Sequence, residues 1–281
     1  MGLKEVFVLP IAKRWISGVD LDSGVKDAKK ANSKGLGVVM NFLGEEINDP
    51  AAADSAASEY LKLQQAISDS KIMGHPSVKL TQLGLMLGQE EAAKRLEKIA
   101  VNAEQLGQWL YVDMEGSKST DATISVYLDV LSRHPRLGLA LQAYMRRSEA
   151  DLKRLMDAGA KIRLVKGAYR EGHDVVYPNP REIRENFRKL MPVLFERCSH
   201  FSIGTHDSAL VDQAKKLADS SKAEVTFEML KGIRDPLKLE LVSAGYKVSE
   251  YLPYGDRWYA YSKRRITEHP SNIWLLLRSL V

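Results

Sequence analysis

The sequence predicts an α/β protein, a (β/α)8 TIM-type barrel, on three observations. Short apolar runs recur along the chain, stretches of helical period separate them, and nearly every apolar run ends on a polar residue. Alternation of this kind points to βαβ units and a parallel sheet. Eight strands with intervening helices close most economically into a barrel; an open doubly wound sheet is the rival arrangement.

The eight runs are Gly37 to Leu43, Ser77 to Thr81, Trp109 to Asp113, Gly138 to Gln142, Lys161 to Val165, Phe201 to Thr205, Glu224 to Phe227 and Lys247 to Leu252. Between them the expected helices are Ala51 to Ser68, Glu90 to Leu106, Asp121 to Ser132, Glu149 to Ala158, Pro180 to Arg197, Ser208 to Ser220 and Pro236 to Ala244. Each carries apolar residues three and four apart, as Leu63 and Ile67 do, and Ser148 and Asp207 stand where caps are expected. A final helix, about Asp256 to Thr267, is expected to cover the C-terminal rim before a polar break at His269-Pro270-Ser271-Asn272. Residues 1–34 read as an extra helical segment against the bottom or side of a barrel spanning 35–281. With no Gly/Ser/Pro linker and no internal repeat, one domain is expected.

Composition narrows the function classes. Apolar runs such as Val6 to Pro10 fall far short of the roughly 20 residues that span a bilayer. The basic residues around the first apolar run come without a small-residue cleavage site, so no secretory signal is expected and the location expected is cytoplasmic. The single cysteine, Cys198, can form neither an internal disulfide nor a cysteine zinc cluster, and no metal site is expected. A formal charge of +5, spread along the chain, is too mild and diffuse for a nucleic-acid binder; it suits an anionic ligand or a weak attraction to anionic lipid.

Barrels build active sites at the C-terminal ends of their strands, so polar residues closing apolar strands are the informative ones. In order they are Glu45; Lys79 and Thr81; Asp113 and Glu115; Gln142; Arg163 and Lys166; Thr205, His206 and Asp207; Glu228; and Tyr251 with Tyr254. A Lys79–Asp113 pair alone is equally well a structural ion pair of a barrel interior. A lysine within an apolar strand needs a partner to offset several kcal/mol of burial cost, and carboxylates at neighbouring strand ends supply partners around one hollow. The last helix joins Trp258, Tyr259 and Tyr261 to Arg264 and Arg265. Taken alone, this basic cluster reads as a solvated helix end. Two adjacent guanidinium forks are also what bidentate capture of a carboxylate uses.

The motifs Ser77-Val78-Lys79-Leu80-Thr81-Gln82-Leu83-Gly84, Asp113-Met114-Glu115, Arg163-Leu164-Val165-Lys166-Gly167-Ala168-Tyr169, Gly204-Thr205-His206-Asp207 and Tyr251-Leu252-Pro253-Tyr254-Gly255, followed by Tyr261 and Arg264-Arg265, resemble the proline dehydrogenases in the same order along the chain. The resemblance runs from about Gly35 to Glu268. It departs at Arg170, where some members carry tryptophan.

The resemblance implies FAD-dependent oxidation of L-proline to Δ1-pyrroline-5-carboxylate by hydride transfer to flavin N5, the first step of proline catabolism. It implies Arg264 and Arg265 as the carboxylate clamp, with Lys79 as a third cation and Glu45 as an ion-pair partner closing the site. On this reading Arg265→Lys loses most binding. Tyr169, Tyr251, Tyr261 and Leu230 would wall the pyrrolidine ring, the lesser alternative being that they are ordinary core aromatics. The flavin would meet Arg163, Val165, Lys166 and Gly167, with Tyr169 beside them, Gln142 at its polar edge, and Thr205, His206, Glu228 and Glu268 as further contacts. Asp113 would order Lys79 and the strand ends rather than take a proton from substrate. Members preferring hydroxyproline lack the tyrosine that Tyr251 matches, so proline is the expected substrate. A quinone-type acceptor reached by peripheral contact at the inner membrane face, and a pyrroline-5-carboxylate dehydrogenase downstream, are the implied partners. Two rivals explain fewer of the strand-end residues: a Schiff-base aldolase using Lys79 or Lys166, and a non-enzymatic interaction protein with a basic terminal helix.

Overall fold

The computed structural model describes residues 9–10 and 12–268, with side chains through residue 263. The polar break expected at residues 269–272 therefore lies outside the described residues. An initial helix α1 (Leu21–Asn32) leads into eight strand–helix units: β1 (Gly37–Phe42) with α2 (Pro50–Asp69), β2 (Gly74–Lys79) with α3 (Gln89–Gln105), β3 (Leu110–Asp113) with α4 (Ser117–Leu131) and β4 (Leu137–Gln142) with α5 (Ser148–Asp157). There follow β5 (Lys161–Val165) with α6 (Pro180–Arg197), β6 (His200–Gly204) with α7 (Ser208–Asp219), β7 (Glu224–Leu230) with α8 (Asp235–Ser243), and β8 (Lys247–Tyr254) with α9 (Trp258–Glu268). The strands pair in parallel in sequence order, and β8 closes on β1 with Gly37 opposite Ser249. The sheet is the closed barrel, and the open doubly wound alternative is excluded.

Local chemistry sets the boundaries. Asp49 and Asn179 accept hydrogen bonds from the first free amides of α2 and α6, each ahead of a proline whose missing N–H costs nothing there. Asp207 caps α7 through Ala209 N, as expected. Ser148 departs from expectation: it is the first residue of α5, and its hydroxyl donates to the carbonyls of Gln142 and Met145 instead of capping an amide. Along α2 the residues Ala53, Ala56, Ala57, Tyr60, Leu63 and Ile67 are buried at three- and four-residue spacing and form the face laid on the barrel.

The helix after β8 does not fill the slot outside β8 and β1. That place is taken by α1, which packs on both strands. Gly24 permits the approach, since a Cβ there would lie 3.2 Å from Met40 and 3.3 Å from the Tyr254 ring. The initial helix thus covers the barrel's side. Freed from the slot, α9 turns to the C-terminal mouth. Its Trp258 is buried with Ala12, Ile16 and Leu43, and Trp15 Nε1 donates to Ser262 Oγ at 2.9 Å. Among the described residues no helix is long and apolar enough to cross a membrane.

A candidate active site at the mouth of the barrel

The strand register places the polar residues on the last rungs. Lys79 stands opposite Asp113, Gln142 opposite Val165, Glu228 between Gly204 and Ser249, and Leu230 opposite Tyr251. Parallel barrel strands are buried on both faces and otherwise apolar. The polar groups on these rungs therefore enclose a cavity of about 560 Å³ opening at the C-terminal mouth.

Asp113 is its electrostatic centre. Its Oδ1 accepts from Ser77 Oγ at 2.7 Å and Arg163 Nη1 at 2.8 Å, and its Oδ2 accepts from the Tyr251 hydroxyl at 2.5 Å. Lys79 Nζ lies 3.8 Å from Oδ2. Burial opposes the charge on Asp113, but Lys79 and Arg163 with the Tyr251 and Ser77 hydrogen bonds outweigh it, and the carboxyl is held below its ordinary range. Burial also opposes the ammonium of Lys79, and is overcome by Tyr169, Asp113, Tyr251 and Glu45, which hold it well above the usual lysine value. The Tyr251 phenol is pushed well up, by burial first and then by Asp113.

Arg163 joins this centre to a second carboxylate. Its Nε is 2.5 Å from Glu228 Oε2, and its guanidinium lies over the Tyr111 ring at 4.4 Å. The Glu228 contact is an ion pair without hydrogen-bond alignment: Arg163 Nη2 and both Glu228 carboxylate oxygens are buried with no hydrogen-bond partner. Such atoms at a cavity wall are costly unless a ligand satisfies them.

Two loops from opposite sides of the barrel meet above Lys79. Glu45, after β1, lies 3.5 Å from Lys79 Nζ and accepts from the Tyr169 hydroxyl, after β5, at 3.3 Å. Lys79 Nζ in turn reaches Tyr169 at 3.5 Å. On the far wall His206 Nε2 accepts from Leu230 N at 2.9 Å, which places the ring proton on Nδ1 when the imidazole is neutral.

Of the residues singled out from the sequence, the cavity brings together Lys79, Asp113, Tyr169, Tyr251, Leu230 and Tyr261. Along it also lie Gln142, Arg163, Val165, Lys166 and Gly167, with Thr205, His206 and Glu228 beyond them. Glu45 joins through Lys79 and Tyr169. The side chains of Arg264, Arg265 and Glu268 lie outside the described residues, although all three positions belong to α9. Gly167 has φ +107, and a Cβ there would fall 2.2 Å from the Tyr144 ring, so the strand end must lack a side chain at this point.

Several participants carry no role in the sequence reading. Ser77 is a small hydroxyl inside a strand and gives no signal of its own. Glu115 and Thr81 pair across strands, Thr81 Oγ1 donating to the buried carboxylate at 2.6 Å. Asp207 is more than a cap: it receives Lys166 Nζ at 2.7 Å and Arg184 Nε at 2.8 Å. Partial burial pushes its pKa up, but the hydrogen bonds and positive charges of Lys166 and Arg184 prevail and bring it down to about 2 from 3.8. A depressed carboxyl stabilises the fold above its unfolded pKa and loses that contribution as pH falls through the folded one. Acidification from about pH 4 to about 2 is therefore expected to erode stability at this site, and Asp207→Asn to flatten that part of a pH series of melting temperatures.

A closed (β/α)8 barrel with titratable groups converging at its C-terminal mouth defines the chain's class as a barrel enzyme. The family model described as Proline dehydrogenase matches residues 24–273, and the chain belongs to the proline dehydrogenase family. It is 32% identical to Proline dehydrogenase 2 of Bacillus subtilis, over 96% of this chain and 93% of that one. It is 31% identical to Proline dehydrogenase of Deinococcus radiodurans, over 96% and 90%. Among solved structures, proline utilization A (PutA) from Bdellovibrio bacteriovorus, inactivated by N-propargylglycine, shares the fold with a TM-score of 0.86 at 24% identity, over 95% of this chain. The chain spans 34% of that protein, about a third of its length.

Proposed function

We propose that this chain oxidises L-proline to Δ1-pyrroline-5-carboxylate with FAD as its cofactor, as the first step of proline catabolism, and passes the electrons to a quinone-type acceptor. The observation that carries the reading is the Lys79–Asp113–Tyr251 cluster joined through Arg163 to Glu228 along one cavity, with Arg163 Nη2 and both Glu228 oxygens left without hydrogen-bond partners. The residues fit a flavin. Buried donor and acceptor atoms on Arg163 and Glu228 are left for a polar ring edge, and Val165 and Gly167 line the same cavity. Gln142, Lys166, Thr205, His206 and Glu268 complete the proposed holding set, with Tyr169 at its boundary. FAD, when bound, supplies the two-electron acceptance that ring oxidation needs.

The protein's own part is binding, orientation and charge. Arg264 and Arg265 stand three and four positions after Tyr261 on α9, the spacing at which helix residues share a face. They clamp the substrate carboxylate, and Lys79 adds a cation from below. Tyr251, Tyr261 and Leu230 pack the ring, and Glu45 closes above. Asp113 does not receive the substrate's proton, because its two oxygens already accept from Ser77, Arg163 and Tyr251. A Schiff-base role for Lys79 conflicts with its charge, since a nucleophilic amine must be neutral and its neighbours hold this one protonated. Lys166 is held by Asp207 at 2.7 Å.

The test is an anaerobic absorption spectrum: the purified protein should be yellow and bleach on addition of L-proline. A colourless protein that reconstitutes with no flavin, or a yellow one that proline leaves unchanged, ends the reading. A second expectation concerns pH. Asp113 is held low and Tyr251 high, so neither changes charge between roughly pH 6 and 9; we assign the titration there to the substrate amine, which must lose its proton before hydride can leave, and a profile that survives His206→Asn distinguishes it from the imidazole on the cavity wall. The rate at limiting proline should rise with pH across that range. A flat profile contradicts this assignment.

A further inference from the structure

Glu115 is a buried carboxylate, 3% exposed, with no part in the chemistry described above. Its two oxygens take both hydrogen bonds that Thr81 can donate: Thr81 N to Oε2 at 3.2 Å and Thr81 Oγ1 to Oε1 at 2.6 Å. Thr81 then acts outward. Its Oγ1 accepts from Glu46 N at 3.0 Å, and its carbonyl accepts from Ile47 N at 3.0 Å. Both amides belong to the loop after β1 that carries Glu45. In that loop Glu46 has φ +53, a left-handed conformation that a non-glycine residue keeps only where its surroundings hold it. The same turn puts Glu45 against Lys79 and Tyr169.

We propose that Glu115 is a positioning residue that acts through Thr81, splinting residues 45–47 so that Glu45 sits closed over Lys79 and Tyr169. The hydroxyl of Thr81 can donate one proton. Because Glu115 is acceptor-only, that proton goes inward and an oxygen lone pair is left for Glu46 N. A neutral amide at position 115 can accept from Thr81 N only by turning its NH2 towards Thr81 Oγ1, so both charge-assisted bonds become weaker neutral ones and the hydroxyl proton is no longer held inward. Glu115 also lies within electrostatic reach of Lys79, and burial raises its pKa, so its charge sits where the interior resists it. A carboxylate buried at that cost and spent on two donors of one threonine is accounted for by what the threonine holds.

The inference rests on the proposed role of Glu45 in closing over proline, and its test keeps the two apart. The first readout needs no activity: amide hydrogen exchange of the peptide spanning residues 43–49 in wild type, Glu115→Gln, Glu115→Asp and Thr81→Val. Glu46 and Ile47 should exchange at least about tenfold faster in Glu115→Gln and Thr81→Val, as loss of a charge-assisted hydrogen bond implies, while the barrel strands keep their protection. Glu115→Asp, which keeps an acceptor-only group, should recover part of it. The second readout is a double-mutant cycle with Glu45→Ala on turnover of L-proline. Glu115→Gln should raise KM about tenfold with a smaller change in kcat in the wild-type background, and add little once Glu45 is gone. Unchanged exchange in Glu115→Gln and Thr81→Val overturns the splint. Additive effects with Glu45→Ala, in a protein whose loop has loosened, show that Glu115 acts by another route. Wild-type protein that ignores proline while the loop responds as expected removes the proposed function and leaves the splint standing.

Discussion

Replacing Asp113 with alanine is expected to abolish measurable turnover of L-proline and to destabilise the fold. The carboxylate accepts three hydrogen bonds, from Ser77, Arg163 and Tyr251, and faces Lys79 at 3.8 Å. Truncation leaves two cations in the interior, Lys79 with its ion pair to Glu45 and Arg163 with its ion pair to Glu228, and removing one partner of a buried ion pair typically costs about 3–5 kcal/mol. Turnover should suffer further, because Tyr251 and Lys79 lose the group that orients them and small misplacements in a site cost about 10²-fold. Denaturant unfolding and steady-state kinetics measure the two effects. The isostere Asp113→Asn separates charge from shape. It keeps one accepting oxygen, so its defect should be smaller than that of alanine. Since the native carboxyl is depressed, the wild-type advantage over Asp113→Asn is full above about pH 4 and shrinks as pH falls below that. Equal stability of Asp113→Ala and wild type at neutral pH would remove Asp113 from the centre of the site.

The strand-end residues were legible because of what surrounds them. A strand buried on both faces, such as Leu137–Gln142, offers an apolar background on which Gln142 stands out, and the same holds for Lys79 after Val78 and for Arg163 between Ile162 and Leu164. Which of these residues touch was not legible, because it depends on register and on side chains distant in sequence: Lys79 meets Asp113 across one strand pair, while Tyr169 reaches Glu45 across the barrel mouth. Strand β2 begins at Gly74, earlier than expected, since Pro76 reads as a strand breaker and yet pairs opposite Met40. Strands β7 and β8 run on to Leu230 and Tyr254, past the expected ends at Phe227 and Leu252, because parallel pairing continues as far as Leu230 opposite Tyr251 and Tyr254 opposite Phe42. Ser148 stands at a cap position in the sequence but does not cap, because its hydroxyl is claimed by the carbonyls of the preceding turn, a competition that sequence position alone does not show. Glu115 was visible beside Asp113, but its work is done on Thr81, and no pattern along the chain connects a carboxylate after β3 with a threonine after β2.

Arg163→Met is expected to be as damaging to the fold as the loss of Asp113, and for a complementary reason. Methionine keeps an unbranched apolar chain, so the packing over Tyr111 is partly retained, but the charge bridging Asp113 and Glu228 disappears. Asp113 still has Lys79, Ser77 and Tyr251. Glu228 is far worse placed: it is 4% exposed, its oxygens have no hydrogen-bond partner, and Arg163 is the cation in contact with it. The damage should therefore concentrate on Glu228, at about 3–5 kcal/mol for an uncompensated buried charge. A second substitution, Glu228→Gln, should return a large part of that loss, because a neutral amide carries no ionic desolvation cost. Stability should thus recover in Arg163→Met/Glu228→Gln while proline turnover does not, since Arg163 Nη2 and one of the two Glu228 oxygens proposed to meet the flavin edge are then gone. Urea unfolding of the two single variants and the double variant measures the coupling. Purely additive destabilisation, with no recovery in the double variant, would mean that Arg163 and Glu228 are not an energetic pair, and the polar wall assigned to the cofactor would need another explanation.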